Sequence, residues 1–344
     1  YSMGVDGFRF DLAPVLGRKP DGAQRDDWKR QREFFPKHPL LADIARLGEL
    51  SDVEVVAEAW DLWGYEVGNF PAGWAEWNGR YRDAVRAFAK GHSGTQAFID
   101  QTNADYVHLH DQGGPCKSIN FVTAHDGFTL MDLVSYNQRT NTSVTWPFGP
   151  SDGGADYNNS WDSGGDHALR RTRMRSLLAI LLFSRGVPMI VSGDEYGRGQ
   201  NGNNNPWAMN TVGIWNNWAQ AASNAPMRLP VDPENPDSSG MYYDVFGEAD
   251  TPEDLNPILV FTRALAQLRH ASPALRQRSW GSQSIGGPDV AYSYNDASAT
   301  RPARNGDRAL QILIDSGDAD PGDFLVLVNM EAHTSRFVLR GPHE

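Results

Sequence analysis

At 344 residues, with 40% apolar and 22% charged residues, the chain has the length and composition of a globular protein able to bury a sizeable core. Its formal net charge of −12 argues against nucleic acid, whose phosphates call for Lys and Arg, and suits a neutral or cationic ligand. The most apolar run, LLAILLF at 177–183, is far short of the roughly 18 residues a membrane-spanning helix needs, so no membrane partner is expected.

In chain order, GVDGFRFDLA at 4–13 reads as a strand over Gly4–Leu12. A period of two puts Val5, Gly7, Arg9 and Asp11 on one face, and Phe8, Phe10 and Leu12 on a plain core face. Leu40–Leu50 carries apolar residues at helical spacing, and Val53–Trp60 reads as a second buried strand. A long loop follows over 61–79, then a short helical stripe of Tyr81, Val85 and Phe88. Cys116 is the sole cysteine, so it forms no internal disulfide and builds no thiolate metal site. Ser118–Asp126 is a third strand, and 137–165 a second long loop of the kind that is usually functional. Asp166 fits the N-cap of a helix running to Ser184, in which Met174, Leu177, Leu178, Leu181 and Leu182 share a face. Gly186 and Pro188 fit its termination, before a fourth strand over Val187–Gly193 and the polar loop NGNNN at 201–205. A further helix is expected over Pro257–His270. Beyond Trp280 the texture changes to a Gly/Ser/Pro-rich linker and short strands at Leu310–Ile314, Phe324–Asn329 and Arg336–Leu339. Strands alternating with helices predict a parallel α/β unit over 1–278, and the remainder a small β domain over 279–344.

Each strand ends in ionisable residues: Arg9 and Asp11, Glu58, His125 and Asp126, Asp194 and Glu195. For Arg9 and Asp11 alone, a structural ion pair is the simpler reading. In a (β/α)₈ barrel, however, strand C-termini converge on one mouth, and carboxylates distant in sequence meet there. Two such groups supply the nucleophile and the general acid/base of glycoside hydrolysis. Arg9 would orient Asp11, and the apolar setting of Val55, Val56, Ala57 and Trp60 would raise the pKa of Glu58. His125-Asp126 alone would also suit a metal-dependent phosphohydrolase, but the clustered further ligands of that chemistry are missing. Trp60, Trp63, Phe70, Trp74 and Trp77 read equally well as sugar platforms or as local loop core. Asp194 fits the mouth or structural hydrogen bonding, and Asn203–Asn205 read as loop caps.

DGFRFDLA, VVAEAWD and INFVTAHDG together resemble three signature strands of the α-amylase superfamily, glycoside hydrolase family thirteen. GNFPAGWAEWNGRYRD at 68–83, FVTAHDGFTLMDLVSYN at 121–137, WPFGPSDGG at 146–154 and GDEYGRGQNGNNNPW at 193–207 are similar to its isoamylase and glycogen-debranching branch. The likeness spans about 1–276. It implies the second half of a (β/α)₈ TIM barrel, strands four to eight, followed by a partial all-β C-terminal domain. It also implies Asp11 as nucleophile, Glu58 as acid/base and Asp126 as the carboxylate stabilising the transition state. Arg9 and His125 would contact the nucleophile and the sugar, with Trp60, Trp74 and Asp194 as further substrate contacts. The implied activity is retaining hydrolysis of α-1,6 branch points in glycogen or amylopectin, with no cofactor and no metal assigned. An α-glucan transglycosylase such as a branching enzyme, and a non-catalytic glycan-binding remnant, are the alternatives.

Two departures accompany the resemblance. Ala59 stands where relatives commonly carry proline after the acid/base, and the family's first signature segment, with its Asp and His, is absent. The chain is therefore expected to be an internal fragment, inactive alone, with the earlier strands upstream. The compartment and oligomeric state are left open, although the WPFGPSDGG loop leans toward the exported isoamylase type.

Overall fold

The computed structural model describes residues 4–18, 32–92, 94–221, 255–280, 291–316 and 322–339. Its centre is a parallel sheet of five strands in sequential order. The strands are β1 (Gly7–Phe10), β2 (Glu54–Ala57), β3 (Ala75–Asn78), β4 (Ser118–Phe121) and β5 (Val187–Met189). Register runs from Gly7 opposite Glu54 to Phe10 opposite Ala57, and from Glu76 opposite Ser118 to Asn78 opposite Asn120. All four strand pairs are parallel, with β1 and β5 at the two edges of the described sheet. Sequential parallel strands, joined through helices except between β2 and β3, are the architecture the alternating pattern predicts.

Each ladder is shorter than its apolar run, because the polar ends leave the sheet to make turns. Leu12 adopts a left-handed conformation (φ 43°) directly after Asp11, and Gly193 another (φ 103°) directly before Asp194. The expected 61–79 loop contains a strand, β3, whose Glu76 and Asn78 are fully buried. Phe8, placed on a core face by the period of two, is 56% exposed, since no described element covers that side of β1.

The helices are α1 (Pro39–Ser51), α2 (Gly79–Lys90), α3 (Thr95–Thr102), α4 (Tyr106–Leu109), α5 (Leu130–Leu133), α6 (His167–Phe183) and α7 (Pro257–Ala271). Their starts have local causes. Asn78 accepts the Tyr81 N–H at 3.0 Å, Asp166 that of Leu169 at 2.9 Å, and Asn256 that of Ile258 at 2.9 Å. Each bond satisfies a donor that the first helical turn leaves unpaired. Helix α1 seats closely on β2 because residue 48 is glycine: a Cβ there would come within 2.5 Å of Val55 Cγ2.

Two buried clusters form the core. The smaller joins Leu41 and Ala45 of α1 to Val55, Ala57, Phe70 and Trp74. The larger joins α2, α3 and α6 to an antiparallel sheet of β6 (Ala291–Asp296), β7 (Ala309–Asp315) and β8 (Phe324–Asn329), through Phe88, Phe98, Ile180, Leu310, Ile312 and Val328. Hydrogen bonds reinforce that contact, from Tyr292 Oη to the Phe183 carbonyl at 3.2 Å and from Thr102 Oγ1 to Tyr294 Oη at 3.0 Å. The expected strand at Arg336–Leu339 is not one. Among the described residues Val338 ties the segment in, its N–H donating to the Ala297 carbonyl and its own carbonyl accepting from Gln311. Most of the linker expected after Trp280, residues 281–290, lies outside the described residues.

Candidate active site

The turn at Leu12 leaves the Asp11 side chain 69% exposed, while the Leu12 N–H donates at 3.0 Å to Glu58 Oε2 across from the end of β1. Backbone bonds lock the two strand ends together, from Glu58 N to the Phe10 carbonyl and from Ala13 N to the Glu58 carbonyl, both at 3.0 Å. Arg9 lies between the acids. One guanidinium nitrogen is 2.9 Å from Asp11 Oδ1 and the other 2.7 Å from Glu58 Oε2. The Glu58 side chain is only 4% exposed, and burial pushes its carboxyl above the ordinary value. The Leu12 N–H and Arg9 oppose that rise, while a hydrogen bond and charge repulsion from Asp11 add to it.

Trp77 of β3 extends the arrangement across the sheet. Arg9 sits 4.3 Å above its ring, in cation–π range, and the His125 ring meets it edge-on at 5.7 Å. His125 Nε2 is 3.5 Å from Asp126 Oδ2, and both side chains are more than half exposed. Arg9, Asp11, Glu58, Trp77, His125 and Asp126 thus form a chain of contacts over the C-terminal ends of β1 to β4. Trp77 was not singled out from its loop companions by sequence, because its place on a strand was not recognised.

Two expected substrate contacts are corrected. Trp74 is fully buried, its Nε1 donates to the Leu41 carbonyl at 2.9 Å, and Phe10 and Phe70 pack on its ring, so no face is left for a sugar. Asp194 is 1% exposed, accepting from Thr123 Oγ1 and from the Leu130 N–H at 2.8 Å; it holds the chain leaving β4 rather than facing the mouth. Trp60 is half-buried and stacks on Tyr65 at 5.8 Å with rings 4° from parallel. Its loop is held by Arg18, which grips Asp61 with two bonds of 3.0 and 2.7 Å and also reaches Glu66 at 3.2 Å.

Asn203–Asn205 act as loop caps with long reach. Asn203 donates to the Phe148 carbonyl at 2.6 Å, and Asn204 and Asn141 bond each other through both backbone and side chain. Asn204 and Asn205 line a cleft of about 360 Å³ that opens beside Asp126 and Gly127 and is also lined by Arg82, Arg86 and Tyr157. Sequence reading did not single out Arg82 and Arg86 individually; they lie on α2, which follows β3 directly.

No family model matches the chain. It is 42% identical over 237 residues to an isoamylase from Flavobacterium sp, covering 65% of this chain and 30% of that protein. A glycogen operon protein GlgX homolog from Mycobacterium bovis is 41% identical over 237 residues, covering 65% and 31%. The chain therefore spans about a third of the length of these curated relatives. In fold it is similar to the pullulanase from Bacillus acidopullulyticus, with a TM-score of 0.56, 16% identity, and coverage of 95% of this chain and 32% of that one. PulA from Klebsiella pneumoniae, solved as a maltotriose complex, gives a TM-score of 0.58 at 16% identity, covering 94% and 37%. With three signature strand ends in one sheet and this relationship in sequence, the chain is similar to isoamylase-type members of the α-amylase superfamily.

Proposed function

We propose that the chain carries the catalytic carboxylates of a retaining hydrolase that cleaves α-1,6 branch points of glycogen- or amylopectin-type glucans. The observation that supports it most is Arg9 bridging Asp11 and Glu58, one acid exposed and the other buried. Such a difference in surroundings separates a nucleophile from a proton donor. In the first step an Asp11 carboxylate oxygen attacks the anomeric carbon, the glycosidic bond breaks, and Glu58 gives its proton to the departing oxygen. In the second, Glu58 takes a proton from water, whose oxygen displaces Asp11 and restores the α configuration. Asp126 opposes the positive charge that develops on the sugar in both steps, and His125 hydrogen-bonds the ring held there. Arg9 orients Asp11 throughout.

Debranching rather than cutting of linear chains is supported by the kinship with an isoamylase and a GlgX homolog. The full-length protein is tested on amylopectin and, separately, on unbranched amylose, with chain-length and linkage analysis. Release of linear chains from amylopectin with amylose untouched is the expected outcome. Rapid shortening of amylose would indicate an amylase, and a rise in α-1,6 linkages a branching enzyme.

A further inference from the structure

We propose that the cleft beside Asp126 is a subsite for one arm of an α-glucan, with Tyr157 as its stacking platform, an inference that rests on the glucan-hydrolase reading above. Among the aromatics of the two long loops, most are committed to packing. Phe70 and Trp74 belong to the core under β2, Phe148 is buried, and Trp146 and Trp161 pack against the larger core. Tyr157 differs from its three companions in the 137–165 loop, being 71% exposed within a cleft that contains Asp126. Its hydroxyl donates to Asn159 Oδ1 at 2.7 Å, which fixes the ring's attitude while leaving its surface open.

The cleft wall is braced. Arg86, buried in α2, donates to the Val122 carbonyl at 2.8 Å where the chain leaves β4, and to the Asn158 carbonyl at 3.0 Å. This links the Tyr157 segment to the strand that delivers Asp126. The side-chain amides of Asn158 and Asn205 donate to the carbonyls of Ala155 and Asp152, which leaves their amide oxygens as acceptors among the described residues. Neither cation is left open to an anion, since Arg82 is paired with Asp83 at 2.7 Å and the buried Arg86 is committed to the Val122 and Asn158 carbonyls. Amide oxygens, a phenol ring and compensated charge suit a neutral polyhydroxylated ligand better than a phosphate, which calls for uncompensated cations. Arg9, Asp11 and Glu58 do not line the cleft, so an arm lying in it approaches the cleavage point from the β3–β4 side.

The test measures maltohexaose binding by calorimetry to full-length protein carrying Glu58→Gln, so that no turnover intervenes. Adding Tyr157→Ala is expected to weaken binding roughly tenfold, the loss of one aromatic platform. Tyr157→Phe, which keeps the ring, is expected to stay within about twofold. Unchanged affinity in Tyr157→Ala would overturn the subsite and leave the debranching reading standing. Equal weakening by Tyr157→Phe would also overturn it, by assigning the residue's effect to its hydroxyl bond within the loop. Absence of any maltohexaose binding would overturn the subsite. Combined with no cleavage of amylopectin by the unaltered protein, it would overturn the reading beneath it as well.

Discussion

Glu58 is where opposing influences can be read against each other. Burial and the neighbouring Asp11 raise its pKa, and the Leu12 N–H and Arg9 hold that rise back. A proton donor must be protonated in the first step, so the alkaline limb of the pH–rate profile is expected to lie above the ordinary glutamate value of about 4.3. Arg9→Met removes the cation that favours the carboxylate, so the limb should move further up even as the rate falls. Glu58→Gln should cost about 10²- to 10⁴-fold on natural glucans, and much less on substrates with activated leaving groups that need no proton. A limb unmoved by Arg9→Met would detach the profile from Glu58. The polar strand ends were visible in sequence because Arg9, Asp11, Glu58, His125 and Asp126 stand at the ends of runs suited to burial. The fates of Trp74 and Asp194 were not, since a tryptophan's partners and the direction of a carboxylate are set by distant segments. Leu41 supplies the carbonyl for one, and Thr123 and Leu130 the donors for the other.

At the scale of elements, the missing expectation was β3. AEWN carries a buried glutamate and a buried asparagine, so neither alternation nor a continuous apolar run marks it as a strand. Asn78 is tolerated because it has work on three sides, capping α2 and donating to Gln101 and Ser118 at 2.9 and 3.0 Å. The helices were more legible, since Asp166 caps α6 where its position before an apolar stripe suggested. The loop after β2 depends on one buried ion pair, with side chains of Arg18 and Asp61 only 7% and 2% exposed. Burial works against the Asp61 charge, but Arg18 and the Trp63 and Gly64 N–H groups outweigh it and hold the carboxyl below its usual value. Arg18→Met strands that carboxylate and should destabilise the protein by about 3–5 kcal/mol. Arg18→Met with Asp61→Leu should recover much of the loss. Urea unfolding of the variants checks this, and a single variant as stable as the parent would show the pair to be dispensable.

Across the whole molecule, three acids buried around the sheet tie stability to pH. Burial pushes Glu76 up to about 8, Asp132 to about 7 and Asp194 to about 6. Each is bonded by backbone donors, Glu76 from Gly68 at 2.7 Å and Asp132 from Gln200 at 2.7 Å, yet solvent is excluded from all three. The folded state therefore keeps protons that the unfolded chain releases at ordinary carboxyl values. Their contribution is complete below about pH 4 and is lost as pH rises through about 6, 7 and 8. Unfolding free energy is expected to fall between pH 5 and pH 8, with a shallower slope in Asp132→Asn; a rise over that interval would contradict the assignment. The same sheet that buries these acids leaves Asp11 and Asp126 open at its C-terminal edge, and the division of labour between Asp11 and Glu58 is the centre of the functional reading. The most direct measurement is to trap the covalent intermediate on the full-length protein with a fluorinated α-glucosyl fluoride and to identify the labelled peptide by mass spectrometry. The label is expected on Asp11, and a label on Glu58 or Asp126 would contradict the account.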